Sequence, residues 1–565
     1  MNRTIVLTKP VPVIKLICIL LCAFMLNACI PKQATITRKE MPFEKYGFER
    51  TAITKNSFEF LMGNGEMGGR LHLYGLGFEK LWFADYWKNP KQRQFLPGLW
   101  LRNDSLYCQQ PNSYHSKLDI ATATASTEIS FVNGCAYTSQ VVISFDNPNL
   151  MALKIVNTGT QALAFDVIVP ADSFLVESSG KELHGQAVPA TAYNKAAWAL
   201  KSNIDLSLSK HGWKILIAPK GEAEFFYSVT TQYDSDNYDA ECTAIVDSAS
   251  DFATIQQQHL NRWTQIRSQT ASVILPESDY AKWFYRSIYI NYATAGSEKF
   301  LPAETQFAYP ETDWDMHPFT YGHGIWSIFS FIQMGDSARA KRSLQWLYQP
   351  ASLKENVHLL IPDTGNIKFI YQQQPVDDAR YLDHYPEGAF AFAHEQTDKG
   401  LNITYPDDGH WDLQFHLDGF ACAAFHRYAK YYNDTVFEKE VVLPVLQGTG
   451  ILWKALLKTK PGVNGYYLPP MLSLSENIVK PSVLDAVLAA KWNLQTAGEY
   501  EEKYKAVPNH DFKTLAEQIY IPQNDSIYLE YLNDTQKREG GGYFGIRACA
   551  YLGFPLDEQI EKIDK

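Results

Sequence analysis

The sequence lacks the usual features of a disulfide-stabilised, metal-binding or nucleic-acid-binding protein. Its eight cysteines include no Cys-x-x-Cys pair and no cysteine–histidine spacing typical of a zinc site. Lysine and arginine form no cluster, and the formal net charge is −11, which argues against a nucleic-acid partner. Internal repeats and low-complexity tracts are also missing. We therefore expect no metal, no cofactor and no nucleic-acid ligand.

Long apolar runs are scarce, and the N-terminus carries the one that stands out. Leu16 to Leu26 has the length of a signal peptide and is too short to span a bilayer comfortably. It ends in Leu26-Asn27-Ala28-Cys29, which resembles a bacterial lipobox and implies that Cys29 is the lipidated first residue of the mature protein. We expect a periplasmic or cell-envelope lipoprotein, anchored in the outer membrane and contacting the membrane through its lipid only.

Aromatic residues are abundant. They make up 14% of the chain, with 13 Trp, 33 Tyr and 31 Phe. A large protein buries many of these in its core. A sugar-binding cleft also uses aromatic rings, since the apolar face of a pyranose stacks on them. Both interpretations remain open at this point.

The hydrophobic pattern changes along the chain. From about Glu49 to Tyr233, short runs rich in β-branched and aromatic residues alternate with turn signals, which predicts an antiparallel β-sandwich. The period becomes helical around Ser248 to Arg267, and amphipathic segments dominate from Ser278. The predicted helices there are Ala281–Ala293, Gly324–Gln333, Ala338–Leu347, Asp418–Tyr432, Phe437–Lys458, Lys480–Gly498 and Phe512–Ile519.

Two long polar loops interrupt the helical region, at Leu301 to Pro318 and at Asp377 to Asp412. Loops of this length inside a compact domain are usually functional. The second loop is rich in acidic residues and histidine, but their spacings fit no helical metal-ligand pattern, so we interpret it as the polar rim of a cleft. Trp411 at its end is a candidate platform for stacking a sugar.

Four stretches together resemble a known enzyme group. They are Gly63-Asn64-Gly65-Glu66-Met67-Gly68-Gly69, then Leu301-Pro302-Ala303-Glu304-Thr305-Gln306 with Asp313-Trp314-Asp315-Met316-His317, then Trp411 with the helix from Asp418-Gly419, and finally Ser473-Leu474-Ser475-Glu476-Asn477. In this order they are similar to the glycoside hydrolases of the six-hairpin (α/α)6-toroid superfamily, closest to family 95 (α-L-fucosidase-like) and family 65. The likeness covers roughly residues 60 to 490.

The resemblance implies a domain order. Residues 1–28 are the signal peptide and 29–45 a tether. An antiparallel β-sandwich follows at 46–245, a helical linker at 246–275, and an (α/α)6 toroid of catalytic type at 276–565. Only 89 residues follow Glu476, so the toroid is expected to be incomplete or shortened.

Glu476 is the predicted general acid. In family 95 the Glu of the matching block protonates the leaving oxygen, and glycoside hydrolysis needs one such protonated carboxyl. The apolar neighbours Pro470, Leu474 and Ile478 are expected to raise its pKa by partial desolvation. The alternative is that Glu476 caps a helix starting near Val479, together with Ser475.

The resemblance also supplies candidate sugar-binding residues. Trp314 and Asp315 match a Trp-Asp pair that grips the sugar in family 65, and His317 follows them; Asn477 adjoins the predicted acid. For Asp315 and His317 a structural salt bridge or loop cap is the competing interpretation. The asparagine residues that hold the attacking water in family 95 are missing here, so the sugar need not be fucose.

The catalytic base is the least defined part of the predicted site. Glu539, within Arg538-Glu539-Gly540-Gly541-Gly542, and Asp534 are the candidates. Three functions follow as hypotheses. The first is an inverting glycoside hydrolase acting on oligosaccharides. The second is a family 65-like phosphorylase, in which inorganic phosphate replaces the base. The third is a non-catalytic carbohydrate-binding lipoprotein on a degenerate toroid.

Overall fold

The computed structural model describes residues 43–55, 57–89, 92–168, 173–187, 195–209, 212–270, 275–296, 325–348, 369–371, 374–376, 386–392, 395–396, 402–403, 414–459, 464–473, 479–506, 510–524, 527–533 and 552. The chain divides into two compact units, of which Phe43–Ala271 with Leu275–Lys565 contains all of these residues. The other unit, Met1–Pro42 with Ser272–Ile274, lies outside the described residues, as does the predicted lipidation site Cys29.

The N-terminal half is built from antiparallel strands, as the alternating pattern predicts. They are β1 (Phe48–Arg50), β2 (Phe60–Gly63), β3 (Met67–Leu71), β4 (Lys80–Asn89), β5 (Gln92–Pro97), β6 (Trp100–Arg102), β7 (Ser113–Asp119), β8 (Thr124–Ser130), β9 (Ala136–Ile143), β10 (Leu150–Asn157), β11 (Leu163–Ile168), β12 (Ser173–Ser179), β13 (Glu182–Ala187), β14 (Ala196–Ser202), β15 (Ser207–Ser209), β16 (Gly212–Ile217) and β17 (Glu222–Thr231). A short helix, α1 (Asp104–Tyr107), follows β6.

These strands form three sheets. The largest has the order β1-β7-β8-β9-β10-β17-β14-β13-β12, and two four-stranded sheets have the orders β15-β16-β11-β6 and β2-β3-β4-β5. Burial alternates along strands such as β7 and β11, so one face of each points into a core. The rings of Tyr137 on β9 and Phe165 on β11 meet edge to face at 6.1 Å, which joins two sheets across that core.

Two helices connect the sandwich to the helical half. Helix α2 (Tyr238–Ser248) packs Cys242 and Val246 against the large sheet, and α3 (Phe252–Gln269) follows. The predicted domain boundary at residue 245/246 thus falls inside α2. Helix α3 is capped by Asp251, which accepts a hydrogen bond from Thr254 N at 2.8 Å. Trp263 of α3 donates to Ile120 O at 3.0 Å, which fixes the helix to the sandwich.

The C-terminal half is mainly helical. Its helices are α4 (Asp279–Ala295), α5 (Ile325–Met334), α6 (Ser337–Leu347), α7 (His416–Tyr432), α8 (Leu443–Leu456), α9 (Leu484–Tyr504) and α10 (Phe512–Gln518). A helical turn at Thr435–Phe437 and a π-helical turn at Glu438–Val442 lead into α8. The predicted helices therefore exist, although Phe437–Lys458 is divided and the predicted helix from Lys480 begins at Leu484.

Short hairpins lie between these helices and after the last of them. They are β18 (Phe369–Tyr371) with β19 (Gln374–Val376), β20 (Glu395–Gln396) with β21 (Asn402–Ile403), β22 (Lys458–Thr459) with β23 (Tyr466–Tyr467), β24 (Pro470–Leu472) with β25 (Val479–Pro481), and β26 (Gln523–Asn524) with β27 (Ile527–Tyr528). Among the described residues, no helix has both the length and the apolar character needed to cross a membrane.

Candidate functional site

Helices α5, α7 and α9 run parallel to one another. Towards the end of α7, the Tyr432 hydroxyl donates to Ile332 O at 3.1 Å, near the end of α5. At the start of α7, His416 lies beside Asp485 in the first turn of α9, and further along His426 Nδ1 lies 3.1 Å from the Tyr500 hydroxyl. The chain therefore enters all three helices at the same end of the bundle.

Helix α8 runs in the opposite direction. Phe415 just before α7 stacks edge to face on Trp453 near the end of α8, whereas Cys422 further along α7 lies 3.2 Å from Thr449 near the middle of α8. Parallel helices alternating with antiparallel ones are the arrangement expected of a helical toroid. Such a toroid presents one set of connections at a common rim.

Most of the predicted site residues precede these parallel helices in the sequence. Trp314, Asp315 and His317 come before α5, Trp411 comes before α7, and Glu476 and Asn477 come before α9. All six lie outside the described residues, as do Asp534 and Glu539. The structure defines the first residues of the three helices, which are Ile325, His416 and Leu484.

The hairpin β24–β25 flanks the segment that contains Glu476. Its register pairs Pro470 with Pro481 and Leu472 with Val479, so residues 473–478 connect the two strands. Helix α9 begins only at Leu484, with Val483 at its N-cap and no side-chain capping hydrogen bond. The capping alternative assumes a helix that starts near Val479, where the structure has a strand; Glu476 itself lies outside the described residues.

The same hairpin meets the segment that leads to the candidate bases. Leu532 N donates to Pro481 O at 3.0 Å, and Leu484 N donates to Glu530 O at 2.8 Å. Asp534 and Glu539 follow Leu532 in the sequence. The structure therefore brings together the flanks of the predicted acid and of the predicted base, although the sequence places them far apart.

Buried polar side chains lie at the start of α7, at the start of α9 and directly after β24. They are Gln414, His416, Asp418, Ser473 and Asp485, all fully or almost fully buried. His416 Nδ1 lies 3.7 Å from Asp485 Oδ2, which is longer than a hydrogen bond. Burial lowers the pKa of His416 to about 3, against a smaller opposing effect of the Leu472 backbone. His416 is consequently neutral at physiological pH, and its contact with Asp485 is not an ion pair.

Asp418 occupies the same end of α7. Its Oδ1 accepts a hydrogen bond from Phe392 N at 2.6 Å, which fixes the described residues 386–392 to the helix. Burial raises the pKa of Asp418 well above its usual value, and the Phe392 N–H opposes this. A carboxyl in this environment favours its protonated form.

Further polar side chains of α7, α8 and α9 contact one another inside the helix core. Asn493 on α9 donates to the Thr449 hydroxyl of α8 at 2.9 Å, and the Cys422 thiol of α7 lies 3.2 Å from that hydroxyl. Burial raises the pKa of Cys422 well above its usual range. The thiol is therefore a buried packing group without nucleophilic character. Among the described residues, no group of His, Cys, Asp and Glu side chains is arranged to hold a metal ion.

The glycine-rich block at residues 63–69 connects the sandwich to the helical half. Asn64 bonds the backbone of Ser144 and Pro148 with its amide and accepts from Met67 N at 2.8 Å, which shapes the turn between β2 and β3. Gly65 N then donates to Ala293 O near the end of α4 at 3.0 Å. A side chain at Gly63 would clash with the same carbonyl. The block is thus a docking turn between the two halves.

His416 and Asp485 belong to the site region, although no motif in the sequence marks them. Both sit at positions of amphipathic helices that otherwise face the core, and a polar residue on an apolar face is the sequence signal for them. Asp418 belongs to the predicted helix motif Asp418-Gly419. Neither pattern reveals that the two helix starts meet.

Comparison with known proteins agrees at the level of architecture. No protein-family model matches the sequence, and neither does any curated protein. A solved structure described as a putative kojibiose phosphorylase from human microbiome is similar, with a TM-score of 0.62 and 10% sequence identity. The match covers 87% of this chain and 72% of that chain. The fold prediction is confirmed: an antiparallel β-sandwich is followed by a helical toroid.

Proposed function

We propose that the protein is an enzyme that cleaves glycosidic bonds of an oligosaccharide, with Glu476 as the general acid. The observation that carries the proposal is the common entry end of α5, α7 and α9, because the candidate segments precede these helices. The hairpin β24–β25 supports it further, since residues 473–478 connect its strands and its base bonds to Leu532. The fold of the putative kojibiose phosphorylase is consistent with a sugar-processing enzyme.

The proposed reaction is hydrolysis with inversion. Glu476 donates its proton to the glycosidic oxygen as the bond to the anomeric carbon breaks, and water attacks that carbon from the opposite face. A base, Glu539 or Asp534, accepts the proton of the water. In an inverting enzyme the two carboxyl groups stand about 6.5–9.5 Å apart. Trp314, Asp315, His317, Trp411 and Asn477 are the proposed sugar-binding residues.

Phosphorolysis is the second candidate, and the structural neighbour favours it. That protein is described as a putative phosphorylase, and it shares this fold. In this case inorganic phosphate attacks in place of water, so no protein base is required, and Glu476 keeps its role. Oligosaccharide cleavage that requires added phosphate supports this candidate. Cleavage in buffer without phosphate supports hydrolysis.

The decisive variant is Glu476→Gln. It keeps the size of the side chain and removes the transferable proton, so we expect kcat on oligosaccharides to fall by about 10²–10⁴-fold. A panel of α- and β-linked disaccharides including kojibiose, with and without phosphate, identifies the substrate. Glu128→Gln, the same substitution at an exposed position of β8 in the sandwich, serves as a control and should be near wild type. Equal activity of Glu476→Gln and wild type contradicts the acid assignment, and binding without cleavage supports the non-catalytic alternative.

We also propose that Cys29 is lipidated and anchors the enzyme in the cell envelope. The support is the sequence Leu26-Asn27-Ala28-Cys29 after an apolar run. The expected result is that the mature protein partitions with membranes and that its N-terminal peptide carries a lipid mass. Cys29→Ser should lose both properties. Membrane partition of Cys29→Ser equal to that of the wild type contradicts the anchor.

A further inference from the structure

His416 lies where three elements of the candidate site meet. It is the first residue of α7 and is fully buried. Its ring interacts with the backbone of Leu472, the last residue of β24, and its Nδ1 lies 3.7 Å from Oδ2 of Asp485 in the first turn of α9. The ring thus contacts the strand that precedes the Glu476 segment and the helix that follows it.

At the open end of hairpin β24–β25, the flanking residues are hydrogen-bonded to each other and to a distant segment of the chain. Leu468 N donates to the Ser482 hydroxyl at 2.9 Å, Ser482 N donates to Leu468 O at 3.1 Å, and Leu532 N donates to Pro481 O. The strands pair over three residue pairs only. A two-stranded ribbon is marginally stable by itself, so its other end depends on packing.

His416 supplies packing at that other end. Leu472 forms the last pair with Val479 before the connecting residues, and Leu472 is fully buried. A neutral imidazole fills this position without placing an unpaired charge in the core. Asp485 holds its carboxyl beside the ring while its Oδ1 accepts from Ala486 N at 2.8 Å, so the carboxylate is itself fixed to α9.

We propose that His416, supported by Asp485, is a positioning residue that fixes the connecting end of hairpin β24–β25 and thereby the Glu476 carboxyl relative to the glycosidic oxygen. The inference rests on the proposed function, because it concerns the placement of that general acid. Neither residue touches the substrate. Their loss should impair proton donation more than substrate binding.

The first test compares leaving groups. A dinitrophenyl glycoside expels a weakly basic phenolate and needs little acid assistance, whereas a natural oligosaccharide needs full protonation of its alkoxide. We expect His416→Gln to lower kcat on the oligosaccharide by about 10–100-fold, with much smaller changes in KM and in kcat on the dinitrophenyl glycoside. Asp485→Asn should show the same selectivity at smaller amplitude, and it provides a second variant if His416→Gln folds poorly.

The matched control is His426→Gln. His426 is a histidine of the same helix, and burial lowers its pKa to about 4, but its ring bonds Tyr500 far from the hairpin. It should affect stability without leaving-group selectivity. Hydrogen–deuterium exchange of the full-length protein provides a readout independent of activity. Amides of Leu472 and Val479 should exchange faster in His416→Gln than in wild type, and those in His426→Gln should not.

The possible results distinguish the positioning role of His416 from the proposed acid role of Glu476. Faster exchange at the hairpin together with selective loss on the oligosaccharide supports the inference. Unchanged exchange in both His416→Gln and Asp485→Asn overturns it, as does an equal loss on both substrate types. A wild-type protein that cleaves no substrate, or a Glu476→Gln variant with full activity, contradicts the proposed function instead.

Discussion

Individual buried histidines set part of the pH dependence of this protein. His259 on α3 is fully buried, accepts a hydrogen bond from Phe145 N at Nδ1 and donates from Nε2 to Thr122 O at 2.9 Å. This pattern defines the neutral tautomer. Burial lowers the pKa of His259 to about 4 in the folded state, partly offset by its carbonyl partners.

We predict that His259 makes the fold less stable in mild acid. The unfolded chain binds this proton near pH 6.5 and the folded chain only near pH 4, so stability is lost as the pH falls through that window. The loss should be on the order of 3 kcal/mol, measured by urea unfolding at pH 7 and pH 4. Between the two pH values, His259→Gln should lose less stability than the wild type, by about that amount.

At the same scale, motifs were easier to recognise from the sequence than their positions in the fold. The Glu476 block was recognisable from its order of residue types. The hairpin strands on either side of it were not, because their ends are joined by hydrogen bonds between Leu468 and Ser482 and between Leu532 and Pro481, across gaps in the sequence. Ser482 also adopts a left-handed backbone, with φ of 50°, which delays the start of α9 beyond the helical pattern that begins at Lys480.

Among the secondary-structure elements, α7 and α9 approach each other closely at Gly419. A Cβ added at Gly419 would lie 2.5 Å from Ala489 Cβ and 2.9 Å from Ala489 Cα. Glycine normally weakens a helix by about 1 kcal/mol relative to alanine. Here the close approach requires it, because backbone atoms of the neighbouring helix cannot move aside cheaply.

We predict that Gly419→Ala destabilises the protein by about 1–3 kcal/mol in urea unfolding, despite its better helix propensity. Ala489→Gly in the same chain should restore part of the loss by removing the opposing Cβ, which a double-mutant cycle measures. Gly180→Ala is the control, since its added Cβ would meet nothing nearer than Asp205 Oδ1 at 4.0 Å. Additive effects of Gly419→Ala and Ala489→Gly would contradict the packing argument.

Helix positions were well predicted because amphipathic spacing is local. Predicted segments such as Ala281–Ala293 and Ala338–Leu347 differ from α4 and α6 by only a few residues. Strand partners are not local. The large sheet inserts β17 between β10 and β14, and this order depends on contacts between distant segments that no periodicity encodes.

For the whole molecule, the two halves are joined by specific polar contacts. Arg286 of α4 donates to Tyr46 O at 2.9 Å, and Gly65 docks on Ala293. Tyr292, also on α4, donates to Asp336 Oδ2 at 3.1 Å, next to the Asp336–Arg339 ion pair. Helix α4 therefore contacts the sandwich on one side and the helical bundle on the other, which couples the sandwich to the toroid.

The overall order of sandwich and toroid was accessible from pattern and motif, while the geometry of the site region was not. The parallel entry of α5, α7 and α9 and the meeting of His416 with Asp485 depend on tertiary packing. We propose acid-assisted cleavage of a glycosidic bond at the entry end of these helices.

Proton NMR of the products tests that claim most directly. Oligosaccharides are incubated with wild type and Glu476→Gln, with and without inorganic phosphate, and the anomer released first is recorded. The account predicts that wild type converts an α-linked substrate into a β-anomeric sugar or, with phosphate, a β-glycosyl phosphate, and that Glu476→Gln forms neither at a comparable rate. Absence of any product from wild type under both conditions, or equal product from the variant, would contradict it.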